Sequence, residues 1–344
     1  MLDEQTLRAL PKAELHRHLD GSVRLSTISE LARRHRLDLG VRSARELAER
    51  ARVLTPLAGL EEVIARFEIL QKVLCGYEAI RRVARENVED AWGDGVKLAE
   101  LRFAPPFIAA GKALGNDEII EAVLDGVEEG AERCGIEVAL IGILPRTASP
   151  EANRQATADL LAYARGSHRG AWRLLGFDLA DSETARPPED FLPLVEQARA
   201  AGLGITIHSG ENTSAAHLLH TLRVFGPRRI GHGIQAWNDP EALRLLREQE
   251  VTLEVCPTSN WLTHSVPSLQ EHPLPHLRRA GVRVTLNSDD PQLMGIDLVH
   301  EYALAARLYG FDLADFQEMN RLAVQASFLP GEIRQQVLAR HFRY

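Results

Sequence analysis

The stretch PKAELHRHLDGSVR, residues 11–24, places His16 and His18 two apart in a short apolar run. The two-residue period of a strand would put Glu14, His16 and His18 on one face and Ala13, Leu15, Arg17 and Leu19 on the other. Both imidazoles would then point the same way, about 6–7 Å apart along the strand, near enough to share one ion. An H-x-H pair alone also fits the polar face of an ordinary strand. Further ionisable residues end other short apolar runs: GITIHSGE carries His208 and Glu211, RIGHG carries His232, and TLNSDDP carries Asp289 and Asp290. His16, His18, His208 and Asp289 would together supply three imidazoles and one carboxylate, a donor set suited to zinc with a position kept for water. Water held there becomes a nucleophile near neutral pH. Glu211, His232 and Asp290 would remain for proton transfer, orientation of that water and hydrogen bonds to a substrate. GFDLADSE has no lysine to bridge two metals, so one ion per chain is expected. Gly176, in the same stretch, reads either as a bend in a strand or as a point where backbone approaches a ligand.

For groups this far apart in the chain to meet, a regular framework must gather them. Short apolar, β-rich runs alternate with helical patterns throughout: AELHRHL near 13–19, VKLAELRF 96–103, EVALIGIL 137–144, RLLGFDLA 173–180, LGITIHSG 203–210, RRIGHG 228–233, VTLEVC 251–256 and VRVTLNS 282–288. Repeated βα units predict a parallel sheet, and eight of them predict an α/β fold closed as a (β/α)8 TIM barrel. In such a barrel every strand ends at one mouth, which would bring the chemical residues together. The intervening segments carry apolar residues at three and four spacing, as in FLPLVEQARAAG and DPEALRLLREQE, the latter opening on Asp239 as N-cap and Pro240. Gly135, Gly202 and Gly281 suit helix stops. Roughly 75 residues separate the first two runs, far more than a usual crossover. They read as helices including GLEEVIARFEILQKVL, so residues 1–344 are expected to form one barrel domain with a helical lid inserted at about 25–90.

The chain has 344 residues, 45% of them hydrophobic, enough for a large core, and 40 basic against 48 acidic residues. With a formal net charge of −8 and no basic block, nothing offers a nucleic-acid footprint, and a small-molecule partner is expected. The acidic first residues lack the positive region of a signal peptide, and no apolar run nears the roughly 20 residues of a membrane span, so a cytoplasmic protein without membrane partners is expected. Cys75, Cys134 and Cys256 are far apart, which argues against a disulfide framework or a thiolate metal site.

PKAELHRHLDGS, GFDLAD, HSGE, RIGHG, CPTSN and NSDDP, in this order over nearly the whole chain, resemble the adenosine deaminase family of metal-dependent amidohydrolases. The resemblance implies that His16, His18, His208 and Asp289 hold zinc. Glu211 would protonate N1 of the purine, His232 would orient or deprotonate the attacking water, and Asp290 would hydrogen-bond N7. It further implies Gly176 as a backbone donor to N3 and Asp20 as the contact to the ribose, with His18 also facing the substrate. Val63, Ile64 and Phe67 fall where the family has an apolar lid helix. The activity implied is hydrolysis of adenosine and 2'-deoxyadenosine to inosine or deoxyinosine and ammonia, a purine-salvage reaction. Siblings act on free adenine or on 6-aminodeoxyfutalosine. The family often reads HAGE and DLAGDE where this chain has HSGE and DLADSE, and Trp261 follows TSN directly. These departures lie near the pocket and bear on which purine substituent is accepted.

Overall fold

The computed structural model describes residues 2–343. Eight parallel strands pair in chain order: β1 Lys12–His18, β2 Val96–Phe103, β3 Glu137–Pro145, β4 Leu174–Ala180, β5 Gly204–Ser209, β6 Arg229–His232, β7 Thr252–Val255 and β8 Arg283–Leu286. Every expected strand is present, within a residue or two at its ends, and helices surround the sheet as in a (β/α)8 barrel. The strands are buried on both faces, which explains their near-continuous apolar runs. The barrel closes at its last seam through two backbone bonds, His18 N–H to Asp289 O at 2.8 Å and Asp289 N–H to His16 O at 3.0 Å.

Local chemistry ends the elements where the sequence predicts. Asp239 accepts from the backbone N–H groups of Glu241 and Ala242 and opens the helix Pro240–Glu248. Gly135, Gly202 and Gly281 follow helices at φ of 67°, 89° and 77°, a region glycine enters without steric cost.

Between β1 and β2 the chain forms the helices Leu25–His35, Ala44–Ala51, Leu60–Val73 and Tyr77–Gly93. The last packs along Asn116–Cys134 and belongs to the outer ring of the barrel. Gly126 and Gly130 make that approach possible, because a Cβ at Gly126 would sit 2.2 Å from Arg81 O.

Strict alternation fails on β1. The register passes from Glu14 opposite Ala99 to Arg17 opposite Leu101, three residues on β1 against two on β2, which is a β-bulge. Glu14 therefore lies on the side of Arg17, whose Nη1 is 3.5 Å from Glu14 Oε2, and not with His16 and His18 as the simple period predicts. The bulge leaves both histidines in the barrel while Glu14 accepts from the Ser288 N–H at 3.0 Å across the closing seam.

Behind the mouth, the fully buried Glu301 accepts from the Thr258 N–H with both oxygens, at 3.3 and 3.4 Å, where the helix Pro257–Leu262 begins. Burial pushes its carboxyl from 4.5 up to about 8. The folded chain thus keeps a proton that the unfolded chain releases, and this group subtracts stability as pH rises from about 4.5 towards about 8. Glu301→Gln removes the titration. Calorimetry should find the variant melting a few degrees above the parent near pH 8 and level with it near pH 5; an advantage of the parent that grows with pH would contradict this.

Candidate active site

The C-terminal strand ends converge as a barrel requires. His16 and His18 come from β1, His208 from β5, His232 from β6, and Asp289 and Asp290 follow β8. Glu211 follows β5 and Asp20 follows β1, and both are buried. His232 and Asp289 sit at φ of 60° and 63°, strained for residues with a Cβ, and such strain collects where a side chain must be aimed into a site.

His16 Nε2, His18 Nε2 and Asp289 Oδ1 form a triangle with edges of 3.1, 3.3 and 3.3 Å. Ligands about 2.0–2.1 Å from a tetrahedral zinc stand about 3.3–3.4 Å from one another, so these three atoms fit one face of such a site. Ring nitrogens of His16, His208 and His232 also lie within 4.8 Å of one another, and Cys256 falls within that distance of His16 and Asp289. Burial raises the Cys256 thiol well above its ordinary range. A protonated thiol is a poor ligand beside the imidazoles. Burial keeps His16 and His18 neutral by lowering both, the His18 ring by much the more. Neutral imidazole is the ligating form. The Asp289 carboxyl is held well below the usual range, in the ionised form that a metal binds. The donors therefore fit a divalent metal, with His16, His18 and Asp289 as one face and the His208 and His232 rings clustered with His16 beside it.

Carboxylates set the orientation of two of these rings. His16 Nδ1 lies 2.8 Å from Glu254 Oε2, and His208 Nδ1 lies 3.0 Å from Asp178 Oδ2. Each ring then donates from Nδ1 and turns its Nε2 lone pair into the site. Arg102 joins the two carboxylates, giving Nη1 to Asp178 at 2.7 Å and Nη2 to Glu254 at 2.6 Å. Arg229 Nε and Thr206 Oγ1 take the other Glu254 oxygen at 2.6 and 3.0 Å. All these groups are fully buried, a placement that charged residues accept only when paired. Their sequence signal is a charge inside an apolar strand, as in VKLAELRF and VTLEVC, a pattern that by itself names no partner.

Glu211 is held from two sides. Glu183 accepts from the Gly210 and Glu211 N–H groups at 2.7 and 2.9 Å and fixes the turn, while Thr263 Oγ1 donates to Glu211 Oε1 at 2.9 Å. Burial raises the Glu211 carboxyl, and the charges of Asp289 and Glu183 add to it. Burial and the adjacent Asp289 likewise raise Asp290 well above its range, and its Oδ1 has no partner. Asp20, raised to about 7 by burial, also has an unpartnered Oδ1. Buried polar atoms without partners at a mouth await a ligand.

Gly176 is not brought to the site. It pairs with Ile141 and with Gly204, the first residue of β5, towards the opposite end of the barrel. A Cβ there would meet Ile141 and Phe328 at 2.7 and 2.8 Å, so the glycine makes room for the Phe328 ring. The cavity over the mouth is lined by His18, Asp20, Ile64, Phe67, Ala104, Phe107, Ile143, Pro145, Ala180 and Asp181. Val63 is buried in the core and is not among these residues.

Glu254→Gln keeps the shape beside His16 but removes the charge its Nδ1–H donates to. Metal affinity should fall about 10–100-fold, measured by competition with a chromophoric chelator; undiminished affinity would show that Glu254 does not orient the ligand.

A sequence model of the family described as adenosine deaminase matches residues 11–341. An adenosine deaminase of Shigella flexneri serotype 5b (strain 8401) is 36% identical over 335 residues, covering 96% of this chain and 98% of its own. Among solved structures, adenine deaminase from Arthrobacter aurescens superposes with a TM-score of 0.85 at 27% identity, covering 96% of this chain and 98% of its own. The N6-methyl-AMP deaminase of Arabidopsis thaliana gives a TM-score of 0.82 at 29% identity, with 97% of each chain covered. Ordered motifs, barrel and full-length matches agree: the chain belongs to the adenosine deaminase family and is a deaminase of the amidohydrolase fold.

Proposed function

We propose that the protein is a zinc-dependent deaminase of adenosine and 2'-deoxyadenosine, with one ion per chain held by His16, His18, His208 and Asp289. Zinc bound there supplies a water nucleophile usable near neutral pH. Glu211, whose hold on its proton burial strengthens, gives that proton to N1 of the purine and makes C6 electrophilic. Asp290, also held in its acid form, donates to N7. Asp20 receives a ribose hydroxyl, and His232 orients the attacking water. In the family's DLAGDE the glycine falls at Asp181, which has a glycine-like φ of 76° and lines the cavity. The backbone of Asp181 therefore takes the N3 contact in place of Gly176. The helix Leu60–Val73 acts as a lid through Ile64 and Phe67, which present apolar surface to the cavity.

The observation that carries the choice of substrate is the lining of the cavity: among the described residues that line it, the charged ones are Asp20 and Asp181, with no lysine or arginine. A 5'-phosphate would meet two acidic side chains on the lining, with Lys112 close enough to act on Asp20 as the cation nearby, whereas a neutral ribose finds hydrogen-bond partners. This favours a nucleoside over the nucleotide that the Arabidopsis structure's description names. The apolar wall of Ile64, Phe67 and Phe107 favours a substrate larger than free adenine.

Initial rates of hydrolysis at C6, read from the ultraviolet change of the purine so that loss of ammonia or methylamine is scored alike, should on zinc-loaded protein give the highest kcat/KM for adenosine and 2'-deoxyadenosine, with AMP, N6-methyl-AMP, adenine and 6-aminodeoxyfutalosine each at least about 100-fold lower. A faster turnover of any of these four would replace the reading. A Cβ at Gly21 would fall 1.6 Å from Asp290 Oδ1. Gly21→Ala should therefore displace that carboxyl and lower kcat/KM about 100-fold, while Glu211→Gln, left without an acid, should lose kcat by more.

A further inference from the structure

Four histidines crowd the mouth, and three of them are enough for the proposed metal site. The fourth, His232, is set apart by what its Nδ1 faces. Nδ1 of His16 and of His208 each meets a carboxylate, so each carries its proton there and offers Nε2 as a lone pair. His232 Nδ1 instead lies 3.1 Å from the side-chain amide of Asn260.

A chain of hydrogen bonds decides how that amide is turned. The Leu274 backbone N–H donates to His272 Nδ1 at 3.1 Å, and a backbone N–H has no alternative role. His272 Nδ1 is therefore unprotonated, and its ring proton sits on Nε2. That proton needs an acceptor, and Asn260 Oδ1 lies 3.2 Å away. With its oxygen committed to His272, Asn260 presents its NH2 group to His232, and Nδ1 of His232 must accept. Neutral His232 then bears its proton on Nε2. Burial pushes His272 down to about 3, which keeps it the neutral ring this chain requires.

We infer that Asn260 and His272 are positioning residues that lock His232 as its Nε2–H tautomer, which bars it from metal ligation and makes it a fixed hydrogen-bond donor in the site. Its Nε2 is 3.7 Å from Glu211 Oε2 and 3.8 Å from Asp289 Oδ2, too far for a direct bond and close enough for one oxygen to bridge them from the side. The identity of that oxygen as the attacking water rests on the deaminase reading above; the tautomer does not. Between orienting that water and removing its proton, the chain of bonds assigns His232 the first role, because a ring protonated at Nε2 has no lone pair there to receive a proton.

Histidine-selective 15N labelling of the zinc-loaded protein tests this without substrate. His232 is assigned from the signals lost in His232→Ala, and long-range proton–nitrogen correlations report the state of each ring nitrogen. The wild type should show an unprotonated, pyridine-type Nδ1 and a protonated, pyrrole-type Nε2 at His232. Asn260→Asp puts a carboxylate oxygen opposite Nδ1 while still accepting from His272. It should move the proton to Nδ1 and lower kcat about 100-fold, with KM within about twofold and zinc content unchanged. A wild type protonated at Nδ1, or an Asn260→Asp variant that keeps either the wild-type tautomer or the wild-type kcat, would overturn the inference. If the variant does not fold, the wild-type spectrum still decides. Poor turnover of adenosine with the Nε2–H signal present would count against the substrate and not against the tautomer.

Discussion

The structure depends most on the seam between β1 and β8. Two backbone hydrogen bonds made by Asp289, one to each side of Arg17, close the barrel. The residues they join, His16, His18 and Asp289, are the ones whose side-chain donors form the 3.1–3.3 Å triangle. Closure and site are thus one event: the geometry exists only when the last strand returns to the first. A chain that left this seam open would lose the barrel's remaining pairing and the proposed metal site together. The bulge on β1 serves the same end, since it sends Glu14 to the seam and keeps both histidines inside.

Around that seam the barrel tolerates an unusual amount of buried charge. Arg102, Arg229, Glu254, Asp178 and Glu100 lie across β2, β4, β6 and β7 with no exposure to water. Desolvating such groups costs several kcal/mol per ion, and apolar side chains of similar volume would often stabilise the fold as well or better. What the apolar alternative could not do is fix the ring orientation of His16 and His208, which their paired carboxylates achieve. On the far side of the mouth a neutral amide faces His232 instead. The partner of Nδ1, a carboxylate at His16 and His208 and an amide at His232, separates two rings that offer a lone pair from one that can only donate.

Much of this was legible in the sequence. Eight βα periods predicted the barrel, and metal-competent residues at run ends predicted a shared mouth, because both rest on local patterns that the fold preserves. What escaped depended on distant partners. Glu14 was placed on the wrong face because a bulge is invisible to a two-residue period. The family resemblance puts Gly176 at the ligand, yet it accommodates Phe328, a residue about 150 positions later in the chain that no local signal connects to it. Arg102 and Glu254 acquire their roles through contacts across the barrel, and Asn260 and His272 through contacts with His232 and each other. A charge inside an apolar strand marked the first two as unusual without saying whom they meet.

The central claim is that this seam builds one metal site from three imidazoles and a carboxylate. X-ray absorption at the zinc edge, with metal analysis of the same sample, tests it most directly. The account predicts one zinc per chain, with only nitrogen and oxygen neighbours near about 2.0–2.1 Å and imidazole scattering from three rings. Two ions per chain, or a sulfur neighbour at about 2.3 Å that would draw Cys256 into the shell, would contradict it.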